Sequence, residues 1–205
     1  IPRQSGLADV ECRIVFETEL RNPDALRGID SFSHLWLIWG FSENGGKWQL
    51  TVRPPRLGGN KRVGVFASRS PFRPNGLGLS ALKLEGIDYA AENGPVLLVS
   101  GIDMKNGTPV YDIKPYVPGA DRIDAEGGFA DAAAGANLEV VAPEDIHSKL
   151  PEDKRQGLLE LLSQDPAPHY QNDPERIYGF SYAGCEIKFR KAEKALILTE
   201  ITDKI

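Results

Sequence analysis

TVRPPRLGGNKRVGVFASRSPFRPNGLGLS, residues 51–80, is the stretch from which both the fold and the chemistry are read. Between Thr51 and Arg73 it holds six basic residues, Arg53, Arg56, Lys61, Arg62, Arg69 and Arg73, and no acid. The chain as a whole leans the other way, with 24 Lys and Arg against 29 Asp and Glu and a formal charge of -5. Prolines 54, 55, 71 and 74 and glycines 58, 59, 64, 76 and 78 punctuate the stretch, and only Val63-Gly64-Val65-Phe66-Ala67 reads as a buried strand. Rigid turns that present guanidinium groups suit phosphate, carboxylate or nucleic acid, because a guanidinium grips such anions through paired hydrogen bonds. The plain alternative is a surface loop charged for solubility.

A chain of 205 residues, 41% hydrophobic and 26% charged, is ordinary globular material for one or two domains. It begins at Ile1 rather than Met, so a natural start is expected upstream. No run approaches the length of a membrane span, and no segment has the form of a signal peptide. Cys12 and Cys185 lie far apart with no CxxC, which predicts reduced thiols in a cytoplasmic protein. The three histidines (His34, His147 and His169) do not cluster, and no metal is expected. A pI near 5.3 argues against indiscriminate nucleic-acid binding but leaves room for a local basic patch.

Along the chain, Val10 to Phe16 alternates as a strand, and Asn22-Pro23 to Gly28 reads as a short helix with Asn22 as its N-cap. His34 to Phe41 is an apolar core strand whose His34 reads as a packed histidine, and Ser42 to Gly46 is a loop. Leu77 to Leu84 and Val96 to Ile102 are strands, Asp103 to Pro109 a hairpin-type turn on Asn106-Gly107, and Val110 to Tyr116 a further strand. Residues 118–137, rich in Gly, Ala and Asp, read as a mobile connection. Pro143 to Ser163 is helical, with a restart at Pro151, and strands follow at 177–182, 186–190 and 195–201 with Ala183-Gly184 as a hairpin turn. The resulting expectation is mainly β plus α+β: a β-rich domain over residues 1–142 and a small α+β module over 143–205.

No GxGxxG follows a strand, so a Rossmann site is not expected, and there is no P-loop, GxSxG or Cys/His cluster. What remains is a constellation: Arg3 and Gln4, Arg69 and Arg73 around Ser70-Pro71-Phe72, Asn75, and Asp112 with Lys114 on a late strand. The arginines can clamp carboxylates or phosphates, Asn75 can read an amide or base edge, and Asp112 can hold a cation or accept a proton. A salt bridge or a turn hydrogen bond is the structural alternative for each.

PRQSGL at 2–7, FSHLW at 32–36, VRPPRLGGNKRVGVFASRSPFRPNGLGLS at 52–80 and NGTPVYDIKPYVP at 106–118 resemble the TsaA-like family of tRNA methyltransferases. The likeness extends to the QDPAPHY loop at 164–170. It implies methylation, by S-adenosyl-L-methionine, of the N6 amine of threonylcarbamoyl-adenosine beside the anticodon. It also implies a small β-barrel-like, non-Rossmann N-terminal domain (with a further strand upstream), an α+β C-terminal extension, and a homodimer. Carried over by motif, cofactor contacts fall on Pro2, Arg3, Gln4, Ser42, Glu43, Arg69, Leu79, Asp103, Gly107, Thr108 and Pro109.

On that reading Asp112 is the candidate base, and Arg69 and Arg73 are candidates to hold the threonyl carboxylate, with Asn75 beside them. Phe72 and Tyr116 are candidate platforms for a flipped base. Arg53, Arg56, Lys61, Arg62 and Lys114 are candidates to meet the tRNA anticodon loop. The chain departs from the family pattern at Gly76-Leu77, where Pro-Ile is common, at Ser42-Glu43 in place of His-Gln, and at Ala167 in place of an Arg. Two other readings stay open: a non-catalytic adaptor that binds a nucleotide-like metabolite, and a methyltransferase with another acceptor.

Overall fold

The computed structural model describes residues 4–54, 57, 61–132, 137–167, 173, 175–192 and 195–203. The protein is mostly β and is not Rossmann-like. Its strands are β1 (Cys12–Val15), β2 (His34–Gly40), β3 (Thr51–Val52), β4 (Val63–Gly64), β5 (Leu77–Asp88), β6 (Val96–Ser100), β7 (Val110–Pro115), β8 (Glu139–Val141), β9 (Ile177–Tyr182), β10 (Cys185–Lys191) and β11 (Ala195–Asp203). The helices are α1 (Pro118–Asp121), α2 (Phe129–Ala132), α3 (Glu144–His147) and α4 (Glu152–Ser163). Two compact units result. One takes in residues 4–50 and 69–125, the other the described parts of 51–68 and 126–205.

The first unit is an antiparallel sheet in the order β1-β6-β5-β2-β7. With β1 and β7 as edges it is a curled half-barrel. Irregularities at Leu84/Gly86 and Ile38/Trp39 interrupt the ladders, and bulges of this kind raise local twist. Alternation along β2 and β5 sends Leu35, Leu37, Trp39 and Leu82 into a core shared with Leu97, Val99, Ile102 and Met104. Trp39 pairs with Gly78, and its indole fills the space that a side chain there would need: a Cβ on Gly78 would stand 2.3 Å from Trp39 Cε2. The indole Nε1–H donates to Ser80 Oγ at 2.9 Å, and the Ser80 hydroxyl donates to Asp103 Oδ1 at 2.6 Å.

The second unit holds a sheet in the order β8-β11-β10-β9, with β8 parallel to β11. Leu158, Leu161 and Leu162 lie on one face of α4 because they recur at helical spacing, and Leu158 and Leu162 pack with Ile187, Phe189, Leu196 and Leu198. Glu152 and Asp153 occupy its first turn, where carboxylates favour the helix dipole. Asp165 sits just beyond α4 at φ 52 and pairs with Lys191 in a largely buried ion pair.

Several expectations change. Val63–Ala67 is not one buried strand: it is a two-residue strand followed by a 3-10 turn, with Val65 buried and Phe66 78% exposed. Asp103 to Pro109 turns on Gly107 (φ 79), yet it joins no hairpin, because β6 and β7 pair with other strands. The short helix after Asn22 is a 3-10 turn, Pro23–Leu26, in which Asn22 does accept from the Asp24 amide. His34 is exposed beside the Ser33 hydroxyl rather than packed in the core. Residues 118–137 include the short helices α1 and α2, and β8 went unrecognised in the sequence.

Gly78→Ala is expected to lower stability by about 1–3 kcal/mol, since the indole must leave its seat, and a shifted urea midpoint would measure it. Burial pushes the Asp103 carboxyl above its ordinary value of 3.8, against the lowering effect of Ser80, backbone amides and Arg69. The folded state therefore keeps its proton over a pH range in which the unfolded chain has released it. Stability present below the ordinary aspartate value is lost as pH rises through the folded one. Asp103→Asn keeps an acceptor for Ser80 and removes that loss. The melting temperature of the variant relative to the parent should climb across this window, whereas a pH-independent difference would contradict the burial argument.

Candidate functional site

Antiparallel pairing brings the end of β2, the starts of β5 and β7 and the end of β6 to one rim of the half-barrel. Backbone bonds fix the loops there. The Gly40 amide donates to Pro109 O at 3.0 Å, the Phe41 amide to Gly76 O at 2.8 Å, and the Gly6 amide to Gly101 O at 2.9 Å. Gly101 has φ 83, and a Cβ there would lie 3.2 Å from the Gly6 nitrogen, so glycine lets the opening segment lie close.

At this rim Arg69 Nη1 donates to Gln4 Oε1 at 3.3 Å. Asp103 lies close enough for the Arg69 guanidinium to favour its charged form, and the Ser5 amide also donates to its carboxylate. A half-buried carboxylate beside an exposed guanidinium and an amide side chain is suited to a group bearing both charges, such as an amino-acid end. Of the positions expected to touch a cofactor, Gln4, Arg69 and Asp103 therefore come together. Pro2 and Arg3 lie outside the described residues.

Ser42 and Glu43 stand exposed on a 3-10 turn (Ser42–Asn44), and Glu43 meets Lys105 at 3.2 Å, which links this turn to the one carrying Gly107, Thr108 and Pro109. The Thr108 amide donates to Lys105 O at 3.2 Å. Asn44 Nδ2 donates to Pro71 O at 2.6 Å, and the Gln49 amide to Phe72 O at 3.1 Å, so the arm with Phe72 and Arg73 is fastened along the 44–49 loop. Phe72 is 39% exposed, and Asn75 is exposed at the following turn.

Directly paired residues share a face of a sheet. Leu79, Ile38 and Asp112 thus form one row on the outer face, and Ala81, Trp36 and Lys114 the next. Leu79 is 57% exposed. The Asp112 carboxylate accepts the Ile113 amide at 2.9 Å and meets Lys114 at 3.2 Å, with half its side chain open to solvent. Tyr116 is half-buried and packs on Trp36, ring centroids 5.5 Å apart, so as a stacking platform it already has an aromatic neighbour. Asp112 and Asp103 belong to two groups, one on the outer face and one at the rim.

Arg53, Lys61 and Arg62 are exposed and fall in the second unit. Arg62 donates to Thr51 twice, through Nε to Oγ1 at 2.8 Å and Nη2 to the carbonyl at 3.1 Å, bracing the β3–β4 pair. Arg56 lies outside the described residues. No His/Cys/Asp/Glu group that could hold a metal occurs among the described residues. Among them, too, no helix is long and apolar enough to cross a membrane. Sequence reasoning missed Ser5 and Ser80, and read Trp39 as a core residue without its hydrogen bond to Ser80. For Ser80 a signal existed, a hydroxyl at an inward position between Gly78 and Leu82.

Residues 1–122 match the profile of the tRNA-methyltransferase O N-terminal domain, and residues 136–204 that of the TrmO C-terminal domain. A tRNA (adenine(37)-N6)-methyltransferase of Eikenella corrodens is 47% identical over 173 residues, 83% of this chain and 96% of that protein. The tRNA (adenine(37)-N6)-methyltransferase of Escherichia coli (strain K12) is 40% identical over 194 residues, 89% and 80% of the two chains. The crystal structure of TrmO from Pseudomonas aeruginosa superposes with a TM-score of 0.74 at 31% identity, covering 98% of this chain and 89% of that one. Both halves of the sequence and the fold agree with one assignment: the chain belongs to the tRNA-methyltransferase O family.

Proposed function

We propose that this chain methylates the N6 amine of adenosine 37 in tRNA, with S-adenosyl-L-methionine as donor and threonylcarbamoyl-adenosine as acceptor. The observation that carries the reading is the rim where Gln4, Arg69 and Asp103 meet in a chain whose relatives are adenine(37)-N6-methyltransferases. The opposite charges of Asp103 and Arg69 fit the amino-acid end of the donor, and exposed Leu79 offers apolar surface. When bound, the donor supplies an electrophilic methyl group on a sulfonium. Gln4, Ser42, Glu43, Arg69, Leu79, Asp103, Gly107, Thr108 and Pro109 are the described residues proposed to hold it, with Pro2 and Arg3 completing the set.

An N6 amine conjugated to a purine and a carbamoyl group is a poor nucleophile while neutral, so the protein must orient its lone pair and take up its proton. The carbamoyl group acidifies that N–H, which lets an open carboxylate such as Asp112 serve as the base. Arg73, with Arg69 and Asn75 near it in the chain, is assigned to the threonyl carboxylate, the group that separates the modified nucleoside from plain adenosine. Phe72 and Tyr116 are assigned to the extruded base, and Arg53, Arg56, Lys61, Arg62 and Lys114 to loop phosphates. The acting species is a cytoplasmic homodimer, requiring no metal.

The deciding experiment is methyl transfer from labelled S-adenosyl-L-methionine to two tRNA pools, one from cells with the threonylcarbamoyl modification and one from cells without it. Label in the first pool alone is the expected outcome. Label in both moves the acceptor to plain adenosine, and label in neither, with the protein folded and donor bound, favours a non-catalytic binding role. Asp112→Asn is expected to lower kcat by about a hundredfold while the donor KM stays within about twofold. Equal losses in both would make Asp112 a binding group.

A further inference from the structure

The rim contains a buried side chain whose hydroxyl joins a core indole to a rim carboxylate. Ser80 is 1% exposed, between Gly78 and Leu82 on the inward side of β5. Its oxygen accepts from Trp39 Nε1 at 2.9 Å and its proton goes to Asp103 Oδ1 at 2.6 Å. The indole, wedged over Gly78, leaves the hydroxyl a single orientation: with one lone pair engaged by the indole N–H, the Ser80 proton is aimed at the carboxylate.

Asp103 is then held from several sides by Ser80, the Ser5 amide and its own amide, with Arg69 alongside. Ser80 engages Asp103 at Oδ1, and the carboxylate has a second oxygen with which to meet a ligand. The positive charge beside it is Arg69, whose Nη1 donates to Gln4 Oε1 at 3.3 Å. A fixed carboxylate beside a fixed guanidinium matches the ammonium and carboxylate of a zwitterionic α-amino acid. A lone sulfonium would need the anion alone.

We propose that Ser80, backed by Trp39, is a positioning residue that aims Asp103 at the α-ammonium of the donor's amino-acid end while Arg69 takes its α-carboxylate. This rests on the reading of the chain as an S-adenosyl-L-methionine enzyme and adds which end of the donor the rim reads. Removing the Ser80 hydroxyl takes away the side-chain hydrogen bond that orients Asp103 Oδ1 and leaves the indole N–H without an acceptor. Ligands that carry the amino-acid end lose affinity, and those that lack it do not.

The test is calorimetric binding of three compounds to the full chain and to Ser80→Ala and Ser80→Thr, with thermal unfolding as the fold control. The compounds are S-adenosyl-L-methionine, S-adenosyl-L-homocysteine (no sulfonium charge, amino-acid end intact) and 5′-methylthioadenosine (neither). Ser80→Ala should weaken the first two about tenfold and leave the third unchanged, and Ser80→Thr should restore most of the loss. Loss confined to S-adenosyl-L-methionine would show that Asp103 reads the sulfonium, and overturns the proposal. Equal loss for all three, or none, overturns it as well, the former by reducing Ser80 to a structural role. Failure of the parent chain to bind any of the three would instead overturn the reading of the site on which the proposal rests.

Discussion

Much of the first unit depends on the seating of one indole. Trp39 occupies the room that a side chain at Gly78 would need, closes the core with Leu37 and Leu82, and directs its N–H at Ser80. The same ring therefore packs the half-barrel and fixes the polar chain that ends at Asp103. Core and site are not separable here. A change in how the sheet packs at β2 and β5 is also a change in where a rim carboxylate points. Burial raises that carboxyl, and the donors around it partly offset the cost, which is how a site keeps a charge ready in a place that disfavours it.

The strands that could be read from the sequence were those whose residues form an apolar run or alternate with a period of two between turn residues. His34 to Phe41, Leu77 to Leu84, Val110 to Tyr116 and the three C-terminal strands are of this kind, and Ala183-Gly184 turns as its residues require, at φ 50 and 79. Val63 to Ala67 misled because five small and apolar residues carry no record of whether a partner strand reaches all of them. Only Val63 and Gly64 are paired, and Phe66 faces solvent. The segment Glu139–Val141 is too short to show a period, and its parallel partner lies more than fifty residues on. A long-range pairing of that sort leaves no local trace.

The basic block teaches a similar lesson about charge. Read as letters, its arginines form one patch. In the structure Arg62 braces a two-stranded pair through Thr51, while Arg69 turns to Gln4 and the field of Asp103. Spacing gives density, and the fold then divides the members among different tasks. Ser80 shows the converse. A single inward serine in an apolar strand looks like a tolerated polar residue until its two partners are known.

The bond from the Gly6 amide to Gly101 O has a consequence for the order in which the molecule takes shape. It joins positions some ninety-five residues apart, and β1 pairs with β6 over a similar separation. Closing so long a span loses chain entropy before any contact is gained, so these pairings belong to the slow, late part of folding. During synthesis Gln4 and Ser5 leave the ribosome early but acquire their places only after β6 has followed. Half of the rim is thus assembled last, and an incompletely made chain has a core in progress but no place to hold a ligand.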